Sequence, residues 1–449
     1  MNCAEVHSSD SDKSSANEVT SGSSGKSSSS ESVGRRKPQT WFHAWYHTTT
    51  SVLGAVAVAA LPFAFGYLGW FGGIAVWIFS TAVSYYSGRL LIQIQGTEST
   101  YSQIADRIMG DGFAKWWIRP FQFIVVYQVT VLTALTLGQT FFALDSLFSP
   151  ASHLNLSCWT IIGGGFTFLI ALCPSLSHMW QCSFVGSLAV IAFVIMTFIS
   201  CILSILSRDE EADFGWPDDG AAFAFGVMDS FGVLAFSYGG HAVLPDLQAS
   251  LRSATVESAH ASMHRALIAA YAVIVPCYFA IATAAYAAFG SNISSFLLDD
   301  FSGRIPDGLL ASLQVLLAVN TLALGAIYIQ SGFSLVGDMI PSLGSDADQY
   351  NFKNLLAVRF PWVATATFVA VAIPFIGDLA ALSGAIGFTA MTFVFPFVLW
   401  ENSPLARDAP VWRRVSHALL AGIFALLGLC SFVGSVYIII QDSSTYKFF

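Results

Sequence analysis

From Trp41 onward, apolar runs of about 20 residues alternate with short polar breaks, and about 20 is the length an α-helix needs to cross roughly 30 Å of hydrocarbon. Eleven such runs, numbered here as spans 1 to 11, fall near 47–67, 71–94, 118–146, 158–176, 182–206, 223–248, 265–289, 307–333, 358–377, 380–400 and 414–440. The pattern predicts an all-α integral membrane protein. Two divisions rest on little sequence: Gly66 to Trp70 between spans 1 and 2, and the stretch around Asp378 between spans 9 and 10.

Span 6 interrupts itself. Apolar residues run from Phe223 to Phe236, then Gly239 and Gly240 break the helix, His241 follows, and Pro245 and Asp246 close the break. Lipid cannot satisfy freed N–H and C=O groups, so broken backbone at membrane depth must be buried in protein or line a cavity. In secondary transporters such breaks hold the substrate near the midplane. Eleven spans divide as five, five and one, and an inverted repeat would pair span 1 with span 6. Span 1 reads Ser51-Val-Leu-Gly-Ala-Val-Ala-Val-Ala-Ala-Leu-Pro-Phe-Ala-Phe-Gly66, small through its middle with Pro62 beyond. Small residues also serve plain helix packing. Two weakened spans at matching positions favour the site reading. The expected architecture is a five-plus-five inverted repeat with broken helices 1 and 6 and one further C-terminal helix.

Composition sharpens this picture. The chain is 55% apolar and 10% charged, with mean hydropathy +0.64, where soluble domains carry about 25% charge. Residues 1–40 form a separate region, with thirteen serines between Ser8 and Ser32 and no aromatic residue before the basic cluster Arg35-Arg36-Lys37. Such a segment cannot bury a core and is expected to be a disordered cytosolic tail, with residues 41–449 forming the permease domain. With the tail cytosolic, 16 of the 19 Lys and Arg residues fall on the cytosolic side, and only Arg208, Arg304 and Lys447 fall outside. The seven cysteines show no metal spacing and read as small buried residues. The sequons Asn155-Leu-Ser157 and Asn292-Ile-Ser294 fall in expected outer loops.

Three stretches carry a resemblance. Trp41-Phe-His-Ala-Trp-Tyr-His47, Ala60-Leu-Pro-Phe-Ala-Phe-Gly-Tyr-Leu-Gly-Trp70 and Tyr238-Gly-Gly-His-Ala-Val-Leu-Pro-Asp-Leu-Gln-Ala249 resemble the amino acid/auxin permease family, most closely its plant GABA and neutral amino acid branch. The resemblance implies proton-coupled amino acid import on the inverted-repeat fold of the amino acid–polyamine–organocation superfamily. The chain departs from the family pattern in reading Ala55-Val56-Ala57 where many members carry Gly-x-Gly, and Asp246 in place of the common Glu. The first departure bears on how closely substrate approaches the backbone, and hence on substrate size.

An amino acid needs donors for its carboxylate and acceptors for its ammonium. Helix N-termini supply the first, and unwound carbonyls and helix C-termini the second. This places Gly54, Ala55, Ala57, Ser237, Tyr238, Gly239 and Gly240 around the substrate, with Tyr127 and Gln128 of span 3 and Asn320 of span 8 as polar candidates. Each of these three could face the cavity, though singly such a residue more often serves an interhelical hydrogen bond. His241, Asp229 and Asp246 are the ionisable residues inside the spans that are candidates for proton coupling. A structural histidine held by a carbonyl is the plain alternative for His241, and helix capping or a pair with Arg252 for Asp246. No sodium-site cluster stands out, so protons are the expected coupling ion. Small-molecule amino acids, protons and the bilayer are thus the expected partners, with no nucleic acid, metal or cofactor. An uncoupled facilitator or an amino acid sensor on the same fold remain alternatives. No nucleophile–base pair, metal cluster or phosphate loop suggests an enzyme. A multi-pass location in the plasma membrane is favoured over a vacuolar one.

Overall fold

The structure, a computed structural model, describes residues 40–149, 154–173, 180–208, 211–217, 220–251, 255–340 and 355–445. The serine-rich segment, its basic cluster, Arg252 and Lys447 lie outside the described residues. Every regular element among the described residues is helical.

Among the described residues, eight helices are long and apolar enough to cross a membrane. The longest, Ala55–Ile94, is two passes joined at Gly69, whose φ of +65° leaves the helical region. Only glycine adopts that conformation without a steric cost, so the division between spans 1 and 2 sits there. With two shorter apolar helices, Leu156–Ala171 and Ala357–Ala372, the described chain carries the eleven expected apolar passes. Span 9 ends at Ala372 and span 10 restarts at Ile376, so the turn lies at 373–375 and Asp378 is inside a helix. A further short helix between spans 2 and 3, Tyr101–Met109, was not anticipated. It buries Tyr101, Ile104 and Ala105 on one face and begins at Thr100, whose side chain accepts the Gln103 N–H.

Helices pack where small residues let backbones meet. Between spans 6 and 10, a Cβ on Gly232 would run into the Ala381 carbonyl, and one on Gly384 into the Gly232 carbonyl. Without a hydrophobic force between helices in lipid, such close approach is what holds them together. Spans 4, 5 and 11 leave apolar side chains exposed and facing outward, among them Leu169, Ile195, Leu426 and Leu429. Both breaks lie among buried residues: Ser51 to Gly66 and Ser237 to Gln248 are buried throughout.

Candidate functional site

Span 1 stops at Val52 and resumes at Ala55. Leu53 (φ −82°, ψ 80°) and Gly54 (φ −89°, ψ 140°) leave the helical region between them. Pro62 lies eight residues further on, inside the resumed helix, so the small-residue stretch rather than the proline marks the break. Span 6 stops at Ser237, passes through the 3-10 turn Gly239–Ala242 and resumes at Leu244. Pro245 opens the resumed helix, where its missing N–H would have had no intrahelical partner. The two breaks abut: a Cβ on Gly240 would strike the Val52 side chain, and one on Gly239 the ring of Phe388. Phe388 is carried by a π-helical stretch of span 10, Gly384–Val394, a rare form that often marks functional sites.

Each break frees backbone groups that need partners. On the carbonyl side, the Tyr278 hydroxyl of span 7 lies 2.7 Å from the Val52 oxygen and 2.8 Å from that of Ser237. The Tyr328 hydroxyl of span 8 lies 3.1 Å from the oxygens of both Ser51 and Gly239. A phenol has one hydrogen to donate, so two hydroxyl hydrogens face four carbonyls and acceptor capacity is left over. On the amide side, the Ala55 N–H donates to the Asn320 side-chain oxygen at 2.7 Å, while the Asn320 amide donates to the Gly186 carbonyl at 3.1 Å. The N–H groups of Val56 and Ala57, in the same first turn, have no carbonyl within the helix to reach.

A cavity of about 30 Å³ opens between these ends, bounded by Gly54, Ala55, Val56 and Ala57 on one side and by Val129, Leu132, Phe236 and Phe388 on the other. Thr133, Thr321 and Tyr328 add hydroxyls, and no charged side chain among the described residues reaches the wall. That volume holds a few waters; an amino acid would need the surrounding spans to move apart.

The expected site residues distribute unevenly about this cavity. Gly54, Ala55, Ala57 and Asn320 form part of its wall. Ser237 and Gly239 turn their carbonyls to the two tyrosine hydroxyls, and Gly240 is pressed against Val52. The Tyr238 side chain leaves the site and bonds the Thr81 hydroxyl of span 2. Tyr127 also lies elsewhere, packed between Phe123 and Trp362 at centroid distances of 5.5 Å and 5.4 Å. The cause is helical phase: Val129, Leu132 and Thr133 share the cavity face, and residue 127 is about 200° around the helix from 129. Gln128 faces the Leu379 carbonyl at 3.5 Å.

None of the three ionisable candidates lines the cavity. His241 is buried, with Nε2 3.0 Å from the Ser84 carbonyl oxygen and 3.1 Å from the Ser87 hydroxyl. A carbonyl only accepts, which assigns the Nε2 hydrogen in the neutral ring and leaves Nδ1 to take a second proton. Asp246 is buried and accepts from the Ser331 hydroxyl of span 8 at 3.0 Å. Asp229 is buried and accepts from Ser435 of span 11. The Asn155 side chain caps the start of span 4 by accepting the Cys158 N–H. Sequence reasoning missed Tyr278, Tyr328, Thr133, Phe236 and Phe388, because aromatic residues in apolar spans look like packing material. For Thr133, spacing four residues after a cavity-facing Val129 is the only clue.

Comparison with known proteins gives a consistent picture. The family described as "Transmembrane amino acid transporter protein" matches residues 37–441. Among similar proteins, "GABA transporter 1" of Arabidopsis thaliana is 27% identical over 434 residues, covering 91% of this chain and 93% of that one. "Lysine histidine transporter-like 6" of the same plant is 26% identical, covering 92% and 94% respectively. In fold, the chain resembles MhsT solved in complex with L-phenylalanine, at a TM-score of 0.52 and 11% identity over 90% of this chain and 100% of that one. It also resembles Mhp1, a nucleobase-cation-symport-1 family transporter in a closed conformation, at a TM-score of 0.51 and 12% identity over 91% and 93%. The five-plus-five inverted-repeat fold fits this likeness.

Proposed function

The chain belongs to the transmembrane amino acid transporter family, and from that premise we propose that it is a proton-coupled symporter of neutral amino acids or GABA-like substrates. One observation carries the substrate class. The cavity is lined by Ser51 and Val52 at the end of one half-helix and by Val56 and Ala57, with their free first-turn N–H groups, at the start of the next; the carbonyls of Ser237 and Gly239 lie behind it on the two tyrosine hydroxyls, and no charged side chain among the described residues is on its wall. A zwitterion is the complement of such a site, its ammonium filling acceptors and its carboxylate meeting the N–H groups and positive dipole end of the resumed helix. A cationic or anionic side chain would find no counter-charge there. Gly54, Ala55, Ala57, Asn320 and the carbonyls of Ser237 and Gly239 are the proposed contacts. Gly240 and Tyr238 shape the break, and Tyr127 takes no contact in this reading.

Proton coupling is assigned to His241, with Asp246 and Asp229 as the other candidates. His241 sits within the span 6 break and ties it to span 2, so a change in its charge acts on the element that surrounds the substrate. The serine-rich segment and the arginine-rich loops are proposed to face the cytosol, and the plasma membrane is the proposed location. The test is uptake of a labelled amino acid panel into proteoliposomes holding the purified chain, with and without an inward proton gradient. Concentrative uptake of neutral substrates that collapses with the gradient is expected. Uptake that merely equilibrates would identify a facilitator, and binding without flux a sensor.

A further inference from the structure

At the membrane face that carries the loops between spans 2 and 3 and between spans 10 and 11, three arginines surround an open basin of about 610 Å³. We propose that this basin binds the phosphate of an anionic phospholipid headgroup.

Arg107, Arg407 and Arg414 line the basin, and Glu401 is the single acidic residue on its wall. That carboxylate is already engaged, accepting from Arg414 Nε at 3.1 Å and lying 2.6 Å from His417 Nδ1. Arg107 is fixed in place by Glu98 and by the Ile94 carbonyl. Arg414 meets Glu401 through Nε alone, so its terminal NH₂ groups stay available. The Arg407 guanidinium has no ion pair among the described residues. A planar guanidinium matches phosphate oxygens two at a time, and two guanidiniums held while a third stays open form a receptor for one phosphate group.

The rim indicates where that phosphate comes from. Leu405, in the turn Pro404–Ala406 whose other two residues line the basin, is 51% exposed, and Val411 and Trp412 at the start of the helix that carries Arg414 are 76% and 72% exposed. An exposed tryptophan next to apolar side chains at the end of a span belongs at headgroup depth. A soluble phosphate would need no such apolar margin, whereas a lipid places acyl chains against it and its headgroup in the basin. On the orientation proposed above, this is the leaflet rich in anionic lipid.

The full chain in detergent, mixed with dioctanoyl phosphatidylinositol 4-phosphate, dioctanoyl phosphatidylcholine or inorganic phosphate, tests the proposal by native mass spectrometry and thermal shift. The phosphoinositide should bind and raise the unfolding temperature. Arg407→Gln should weaken its binding roughly tenfold, the loss expected for one charge-assisted contact, while the unfolding temperature without lipid stays the same. Equal binding of phosphatidylcholine, or undiminished phosphoinositide binding by both Arg407→Gln and Arg407→Gln/Arg107→Gln, would overturn the proposal. Inorganic phosphate competing at the same concentration as the lipid would overturn the lipid source. All of these readouts are independent of amino acid uptake, so failure here leaves the transport reading intact, and the converse holds.

Discussion

The hydroxyls of Tyr278 and Tyr328 divide four carbonyls at the ends of two broken helices between them. Tyr278 takes Val52 and Ser237, and Tyr328 takes Ser51 and Gly239, so each tyrosine touches one carbonyl from each break. Span 7 and span 8 thereby read the separation of the two breaks directly. Any movement that parts span 1 from span 6 takes one of its two carbonyls away from each tyrosine hydroxyl, and a ligand ammonium at the carbonyls competes for the same oxygens.

Tyr278→Phe removes one of these bridges while keeping the ring. Two buried carbonyls lose their nearest donor, a loss of about 1–3 kcal/mol. The purified variant should unfold at a lower temperature than wild type, and bound substrate should recover part of that difference by supplying donors of its own. An unchanged unfolding temperature would show that the hydroxyl is not bonding either carbonyl.

Gly240→Ala should reduce uptake strongly, and Gly240→Leu should abolish it, with membrane insertion intact in both. The reason is contact rather than backbone freedom: even one methyl meets the Val52 side chain, so the breaks are forced apart. Overpacking of this kind costs about 1–3 kcal/mol. Normal uptake by a surface-localised Gly240→Leu protein would sink the assignment of this junction to the site.

Ala57→Gly widens the wall of a cavity that has little room. The ratio of phenylalanine to GABA uptake should rise, with total protein in the membrane unchanged. A ratio that stays constant across a substrate panel would show that Ala57 only packs against its neighbours.

Much of this architecture was legible in the chain because hydrocarbon enforces it. Apolar run length gave the eleven passes, and Gly239-Gly240 gave the break in span 6 because those residues leave a helix most readily. The span 1 break was legible only as a small-residue stretch; its position at Leu53 and Gly54 depends on Asn320 arriving from span 8 to cap Ala55. Tyr278 and Tyr328 were illegible for the same kind of reason, since their partners lie more than 40 residues away. Tyr127 failed on phase, because polarity in an apolar run says nothing about which face of the helix bears it.

The assignment of proton coupling can be separated from structure at His241. In the neutral ring Nε2 holds the Ser84 carbonyl, so a second proton must go to Nδ1, on the side of the span 6 turn. His241→Asn can keep one donor toward Ser84 and cannot take that proton. Wild-type uptake should rise as the outside medium is made more acidic, and His241→Asn should lose this rise while retaining flux down a substrate gradient. Asp246→Asn keeps a partner for Ser331 and Asp229→Asn one for Ser435, so both serve as matched neutral controls in the same assay. If His241→Asn keeps full pH dependence and Asp246→Asn or Asp229→Asn loses it, the proton belongs to that carboxylate and His241 is a structural tie between span 6 and span 2.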